Sequence, residues 1–248
     1  MRILLANPNT SQAVTDRIAA VARPAASPGT TIQAVTAAVG VPYIATRAEA
    51  VIGARAVLEL FAEHAEGADA AVVAAFGDPG LGAARELLSI PVVGMAEAAM
   101  LTACMLGRRF AIITFSPTLG PWYQEIVDYN GLTSRCSGVH CLNEAFADVV
   151  HVAEEKSAQL AALCASAVTA GAEVCILGGA PLAGLAAGIA QQVAVPLVDG
   201  VAAAVRQAET LAALRPRKPV TGSFRCPDAK AMTGLPAPLV RLFGGIGS

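Results

Sequence analysis

Short runs of apolar, β-prone residues alternate with longer Ala-rich stretches along the whole chain. Ile3-Leu4-Leu5-Ala6, Ala71-Val72-Val73-Ala74, Pro91-Val92-Val93-Gly94, Phe110-Ala111-Ile112-Ile113, Val174-Cys175-Ile176-Leu177 and Pro196-Leu197-Val198 are continuous rather than alternating, the pattern of strands buried on both faces of a parallel sheet. Between them, residues 11–22, 47–64, 83–88, 97–106, 154–170 and 183–192 carry helical spacing. Strands alternating with helices of this length predict an α/β fold with helices on both faces of parallel sheets.

The pattern also repeats. Gly67-Ala68-Asp69 before one strand returns as Gly171-Ala172-Glu173 before another, 104 positions on. Each of those strands runs into a small-residue turn, Ala75-Phe76-Gly77-Asp78-Pro79-Gly80 in one case and Gly179-Ala180-Pro181-Leu182 in the other. A helix and an X-Pro strand then follow in both, at Ile90-Pro91 and Val195-Pro196. Upstream, Arg2-Ile3 leading to Asn7-Pro8-Asn9-Thr10 is echoed by Arg109-Phe110 leading to Thr114-Phe115-Ser116-Pro117. Two similar lobes are expected, 1–106 and 107–205, with 206–248 packing back on the first. Ligands of open parallel sheets sit beyond the carboxyl ends of the strands, so four loops should line one cleft: 7–10, 75–79, 114–118 and 179–181. Pro79, Pro117 and Pro181 fall at or near helix starts, where first-turn N–H groups would face an anion in that cleft.

Composition narrows the chemistry. The chain is 55% hydrophobic, 15% charged and near neutral at −2, so a large core is expected and no basic block offers a nucleic-acid footprint. The uncharged run 174–198 has the length to span a bilayer but is broken by glycines and prolines, so no membrane partner is expected. The N-terminal apolar run 3–6 is too short for a secretory signal, which predicts a cytoplasmic location. Six cysteines lie outside CxxC or zinc-finger spacing, which favours buried thiols over redox or metal sites. His64, His140 and His151 and the three lysines avoid the predicted strand ends, and phosphate-loop, metalloprotease, serine-hydrolase and dinucleotide motifs are missing from the sequence.

Asn7-Pro8-Asn9-Thr10-Ser11, Phe76-Gly77-Asp78-Pro79-Gly80-Leu81 and Gly94-Met95-Ala96-Glu97-Ala98-Ala99-Met100 resemble the Asp/Glu racemase superfamily, in its hydantoin and allantoin racemase branch. Thr221-Gly222-Ser223 and Gly234-Leu235-Pro236 fit the same pattern, so the resemblance covers essentially the whole chain. It implies two pseudo-symmetric Rossmann-like lobes around an active-site cleft, no cofactor and no metal, a small-molecule substrate, and a homo-oligomer. It also implies two cysteines facing each other across a carbon acid, one removing a proton and one delivering a proton to the opposite face. At the matching positions this chain has Ala75 and Gly179, which carry no proton, and the internal repeat pairs the same two positions.

The expected activity is therefore cofactor-independent chemistry at an acidic carbon beside a carbonyl of a cyclic ureide, imide or carboxylic acid. The racemase label comes from the resemblance, while a lyase, a decarboxylase, a ring-opening hydrolase or a silent ligand-binding homologue are the alternatives. Asp78 and Glu97 are the candidate proton-transfer groups, against helix capping from Pro79 for Asp78 and dipole complementation for Glu97. Asn7, Asn9, Thr10, Thr114 and Ser116 are candidate anchors for a carbonyl or carboxylate. Ala75, Phe76, Gly77, Gly179, Ala180 and Pro181 offer backbone groups, and Tyr43, expected with Tyr123 in loops over the cleft, completes the set.

Overall fold

The computed structural model describes residues 1–143 and 151–244. Two four-stranded parallel sheets make its frame, ordered β2-β1-β3-β4 and β6-β5-β7-β8. In the first, β1 (Arg2–Asn7) and β3 (Ala70–Val73) are central, flanked by β2 (Thr31–Thr36) and β4 (Val92–Gly94). In the second, β5 (Phe110–Thr114) and β7 (Val174–Leu177) are central, flanked by β6 (Cys136–Cys141) and β8 (Leu197–Asp199). The four central strands, and the short edge strand β4, are buried throughout or nearly so, which explains their unbroken apolar runs. The edge strands β2 and β6 were not expected from the sequence. Thr31-Ile32-Gln33-Ala34-Val35-Thr36 and Cys136-Ser137-Gly138-Val139-His140-Cys141 are only half-buried and mix polar with apolar positions.

The helices are α1 (Gln12–Ala25), α2 (Arg47–His64), α3 (Leu81–Leu87), α4 (Met95–Leu106), α5 (Leu119–Tyr129), α6 (Val152–Glu155), α7 (Ser157–Thr169), α8 (Leu185–Ile189), α9 (Gly200–Leu214) and α10 (Ala237–Leu242). Local chemistry sets several ends. Thr46 and Glu49 form a reciprocal capping box on α2, and Ser11 accepts from Val14 N to open α1. The expected helix 154–170 is interrupted at Lys156 into α6 and α7. α5 carries Tyr123, which is expected in a loop; Pro121 sits in the first turn of this helix, where its missing N–H costs nothing.

The helices after β4 and β8 are exchanged between the sheets. α4 packs on β5, β7 and β8, while α9 packs on β1, β3 and β4, and the two run against each other. This exchange welds the two sheets into one body and holds their strand ends together. α10 packs on α2, Lys218 binds the carbonyls of Arg85 and Leu88, and positions 245–248 lie outside the described residues. Cys164 and Cys175 are buried, Cys104, Cys136 and Cys141 half-buried, and Cys226 exposed, all as free thiols. The expectation of mostly buried cysteines thus holds for two. No helix among the described residues is long and apolar enough to cross a membrane.

One polar anchor ties α9 to the first lobe. The Glu209 carboxylate, 8% exposed, accepts from Ser27 N at 2.8 Å, Ser27 Oγ at 3.0 Å and Thr30 Oγ1 at 2.6 Å. Glu209→Ala leaves those three donors without their acceptor and is expected to cost about 2–3 kcal/mol in urea unfolding. A loss below about 0.5 kcal/mol, the size of an ordinary surface change, would contradict the anchor.

Candidate functional site

The repeat seen in the sequence is geometric. β3 leaves its sheet through Ala74 N donating to Ala6 O at 2.9 Å, and β7 leaves through Gly178 N donating to Ile113 O at 2.8 Å. Ala75 and Gly179 each follow one residue later, so they occupy equivalent places at the two strand ends. Gly179 has φ +125°, a conformation that side-chain-bearing residues rarely adopt. A Cβ there would lie 2.9 Å from Phe115 Cε1 and 3.7 Å from the Tyr123 hydroxyl oxygen.

Aromatic rings gather around this seam from both lobes. Phe76 packs on Tyr123 with centroids 4.8 Å apart, Tyr43 on Phe115 at 5.8 Å, and Trp122 on Tyr123 at 5.7 Å. Thr114, beside Tyr123, donates its hydroxyl to Gly178 O at 2.8 Å. The Tyr43 hydroxyl oxygen is buried and has no hydrogen-bond partner. A buried polar atom left alone is rare and costly. Burial pushes both phenols far above their ordinary value, so both stay protonated, and each is a hydrogen-bond donor.

The sequence candidates divide into three groups. Tyr43, Phe76 and Gly179 meet at the seam, with Ala75, Ala180 and Pro181 in the chain beside them. Thr114 is there too, fully buried, and its hydroxyl ties β5 to the end of β7. A second group is internal to the β1–α1 loop. Asn7 Nδ2 donates to Asn9 Oδ1 at 3.0 Å and Thr15 Oγ1 at 2.8 Å, so Asn7 is a scaffold residue, while Asn9 Oδ1 faces Ser11 N. Thr10 N donates to Val41 O at 2.9 Å, tying this loop to the one that carries Tyr43. Ser116 pairs with Thr118 Oγ1 at 2.9 Å on the loop rim.

The third group is the two carboxylates, and here the geometry departs from expectation. Asp78 does not cap the helix after Pro79: α3 starts from Gly80, leaving Pro79 outside it. Its carboxylate reaches across to α4, accepting from Ala96 N at 2.9 Å and Glu97 N at 2.8 Å. Glu97 forms a two-pronged ion pair with Arg85, which also donates to Val92 O at 3.0 Å. α4's first-turn amides are thus occupied by Asp78, as those of α9 at Val201 and Ala202 are by Asp199, and neither set is open to an anion. Both carboxylates lie along a separate cavity of about 440 Å³. The Trp122 ring stands between it and the seam, so close to Gly77 that a Cβ there would be 2.7 Å from the indole. Asp78 thus ties the loop 75–80 to α4, and Glu97 ties α4 to Arg85 of α3.

Burial pushes the Asp78 carboxyl up to about 7, outweighing the two amide bonds. A carboxyl raised in the fold contributes stability below its unfolded value near 4 and loses it as pH climbs through 7. Asp78→Asn, which cannot ionise, is expected to shrink the fall in unfolding free energy between about pH 5 and about pH 8. An undiminished fall in the variant would assign that pH dependence elsewhere.

The sequence reading does not single out Phe115 or Trp122, and it places Tyr123 on a loop over the cleft where the structure has it on α5. The internal repeat held the signal: α5 follows β5 as α1 follows β1, which puts Tyr123 on a helix beside the strand ends. Among the described residues no group of three or more His, Cys, Asp or Glu side chains converges as metal ligands.

Comparison with known proteins agrees with this architecture. The model of the Asp/Glu/Hydantoin racemase family matches residues 3–208. A hydantoin racemase of Paenarthrobacter aurescens is 34% identical over 236 residues, spanning 93% of this chain and 99% of its own. Among solved structures, allantoin racemase from Klebsiella pneumoniae is 38% identical with a TM-score of 0.89, covering 96% of this chain and 98% of its own. Allantoin racemase from Pseudomonas fluorescens is 34% identical with a TM-score of 0.87, covering 94% and 100%.

Proposed function

Because the chain belongs to the Asp/Glu/hydantoin racemase family, we propose that it is a cofactor-independent enzyme acting at a carbon beside a carbonyl, with the reaction held at the Ala75–Gly179 seam. The substrate class is a small cyclic ureide, imide or related carboxylic acid, as for the hydantoin and allantoin racemases it resembles. The observation that carries this reading is the buried, unpartnered Tyr43 hydroxyl beside Phe115, with the Tyr123 hydroxyl next to Gly179. When a bond to the carbon beside a carbonyl breaks, charge moves onto the carbonyl oxygen. Two fixed phenol donors lower the energy of that enolate in a site walled by aromatic rings. Asn9 at the β1–α1 loop and the Ser116–Thr118 hydroxyl pair on the rim supply further polar anchors. The proposal includes a cytoplasmic homo-oligomer, in keeping with exposed apolar side chains such as Val51 and Met105.

The same observation favours a second reading, a decarboxylase or other lyase. Ala75 and Gly179 carry no base, and both phenols stay protonated at working pH. Donors without a base suit a carbanion formed by losing a group better than one formed by losing a proton. The two readings separate in D₂O. 5-Substituted hydantoins and allantoin report Cα–H exchange by NMR, and substituted malonates report carbon dioxide release. Enzyme-dependent exchange of Cα–H for deuterium, with or without loss of optical rotation, supports the carbon-acid enzyme. Turnover of malonates alone supports the lyase. Binding without either reaction would leave a silent homologue and refute both.

A further inference from the structure

The cavity behind Trp122 belongs neither to the seam nor to the fold's core. It holds about 440 Å³, within the range of small-molecule sites. Its apolar walls are aromatic: Trp122 and Tyr129 from α5 and Phe224 from the C-terminal segment. Tyr129 is 85% exposed and Phe224 42%, an unusual outlay of ring surface for a face with nothing on it. Its polar walls are Asp78, Glu97 and Glu125, three carboxylates against the one guanidinium of Arg85. Arg85 is already spent on Glu97 and Val92 O, and its outer face lies 5.9 Å from the Phe224 ring centroid. Glu125 is held by Arg47 outside the cavity, on an exposed pair that solvent weakens. Asp78 is held by two amides and raised by burial, so Glu125 is the carboxylate most open to a ligand here.

We propose that this cavity is a second ligand site, distinct from the seam, for a small organic cation of the quaternary ammonium or guanidinium class. Ring faces carry negative potential, and together with the carboxylates they favour a cation over a neutral molecule of equal shape. An anion meets three carboxylates and no free counter-charge. The site touches Gly77 and Trp122, the direct chain neighbours of Phe76 and Tyr123, so a bound cation bears on the two residues that border the seam.

The chain has a single tryptophan, and it lines this cavity. Its fluorescence therefore reports occupancy without a label. The full chain is titrated at constant ionic strength with tetramethylammonium, its neutral isostere tert-butanol and the anionic pivalate. The expected result is a saturable change with tetramethylammonium, at least about tenfold tighter than with tert-butanol, and none with pivalate. Tyr129→Ala combined with Glu125→Gln, both at well-exposed positions, is expected to weaken tetramethylammonium about tenfold while leaving the unfolding midpoint in place. Equal affinity for the cation and the alcohol would overturn the proposal. So would an unresponsive Trp122, or cation binding that the double variant leaves intact. None of these outcomes bears on turnover at the seam.

Discussion

Tyr123→Phe is expected to lower turnover about 10²–10³-fold with little change in stability, the usual loss when one oxyanion donor is removed. Tyr123 is 2% exposed and packed between Phe76 and Trp122, so its ring keeps its place without the hydroxyl. The oxygen removed is the one that borders the Gly179 position. The loss falls on kcat more than on KM, because the donor matters most when charge has reached the carbonyl oxygen. Tyr43→Phe should behave alike and also relieve the unsatisfied hydroxyl, so the variant gains stability while losing turnover. A Tyr123→Phe enzyme within threefold of the parent kcat would remove the phenol from the reaction and leave it a packing residue.

Gly179→Cys is expected to destabilise the protein by roughly 2–4 kcal/mol rather than restore a two-thiol enzyme. Two costs add. Cysteine must adopt a φ near +125°, and its Cβ must push Phe115 Cε1 out from 2.9 Å. Phe115 is fully buried beneath Tyr43, so the ring has little room to yield. Ala75→Cys meets no such backbone requirement and should unfold near the parent midpoint. The account predicts that the double variant becomes a racemase only once Phe115 is also trimmed, for example to Leu. Parental stability for Gly179→Cys in urea would show that the turn relaxes freely and that the aromatic seam is not fixed.

Much of the frame was legible in the chain. Central strands announce themselves because both faces are buried, and the helical stretch expected over 47–64 matches α2 end to end. The repeat at 104 positions pairs Ala75 with Gly179 in the sequence itself. What escaped has physical causes. Edge strands such as β2 have one open flank and mixed residues, so periodicity is weak. Asp78 was read against its neighbours in sequence, whereas its partners are the amides of Ala96 and Glu97, brought in by the β4–α4 turn. Tyr123 is expected over the cleft but on a loop, and a phenol's role depends on which ring it stands beside, which the sequence does not give. The exchange of α4 and α9 between sheets leaves no local trace at all.

The central claim is that ligand oxygen meets Tyr43 and Tyr123 at the seam, and the chain offers a direct way to see it. It has three tyrosines, of which Tyr129 is exposed on the far side of Trp122 and serves as an internal reference. With ¹³Cζ-labelled tyrosine, assigned by single Tyr→Phe variants, the three resonances are followed as a 5-substituted hydantoin or allantoin is added. The account predicts saturable shifts at Tyr43 and Tyr123 with Tyr129 still. A shift confined to Tyr129, or no shift at the two buried phenols under saturating ligand, would contradict it.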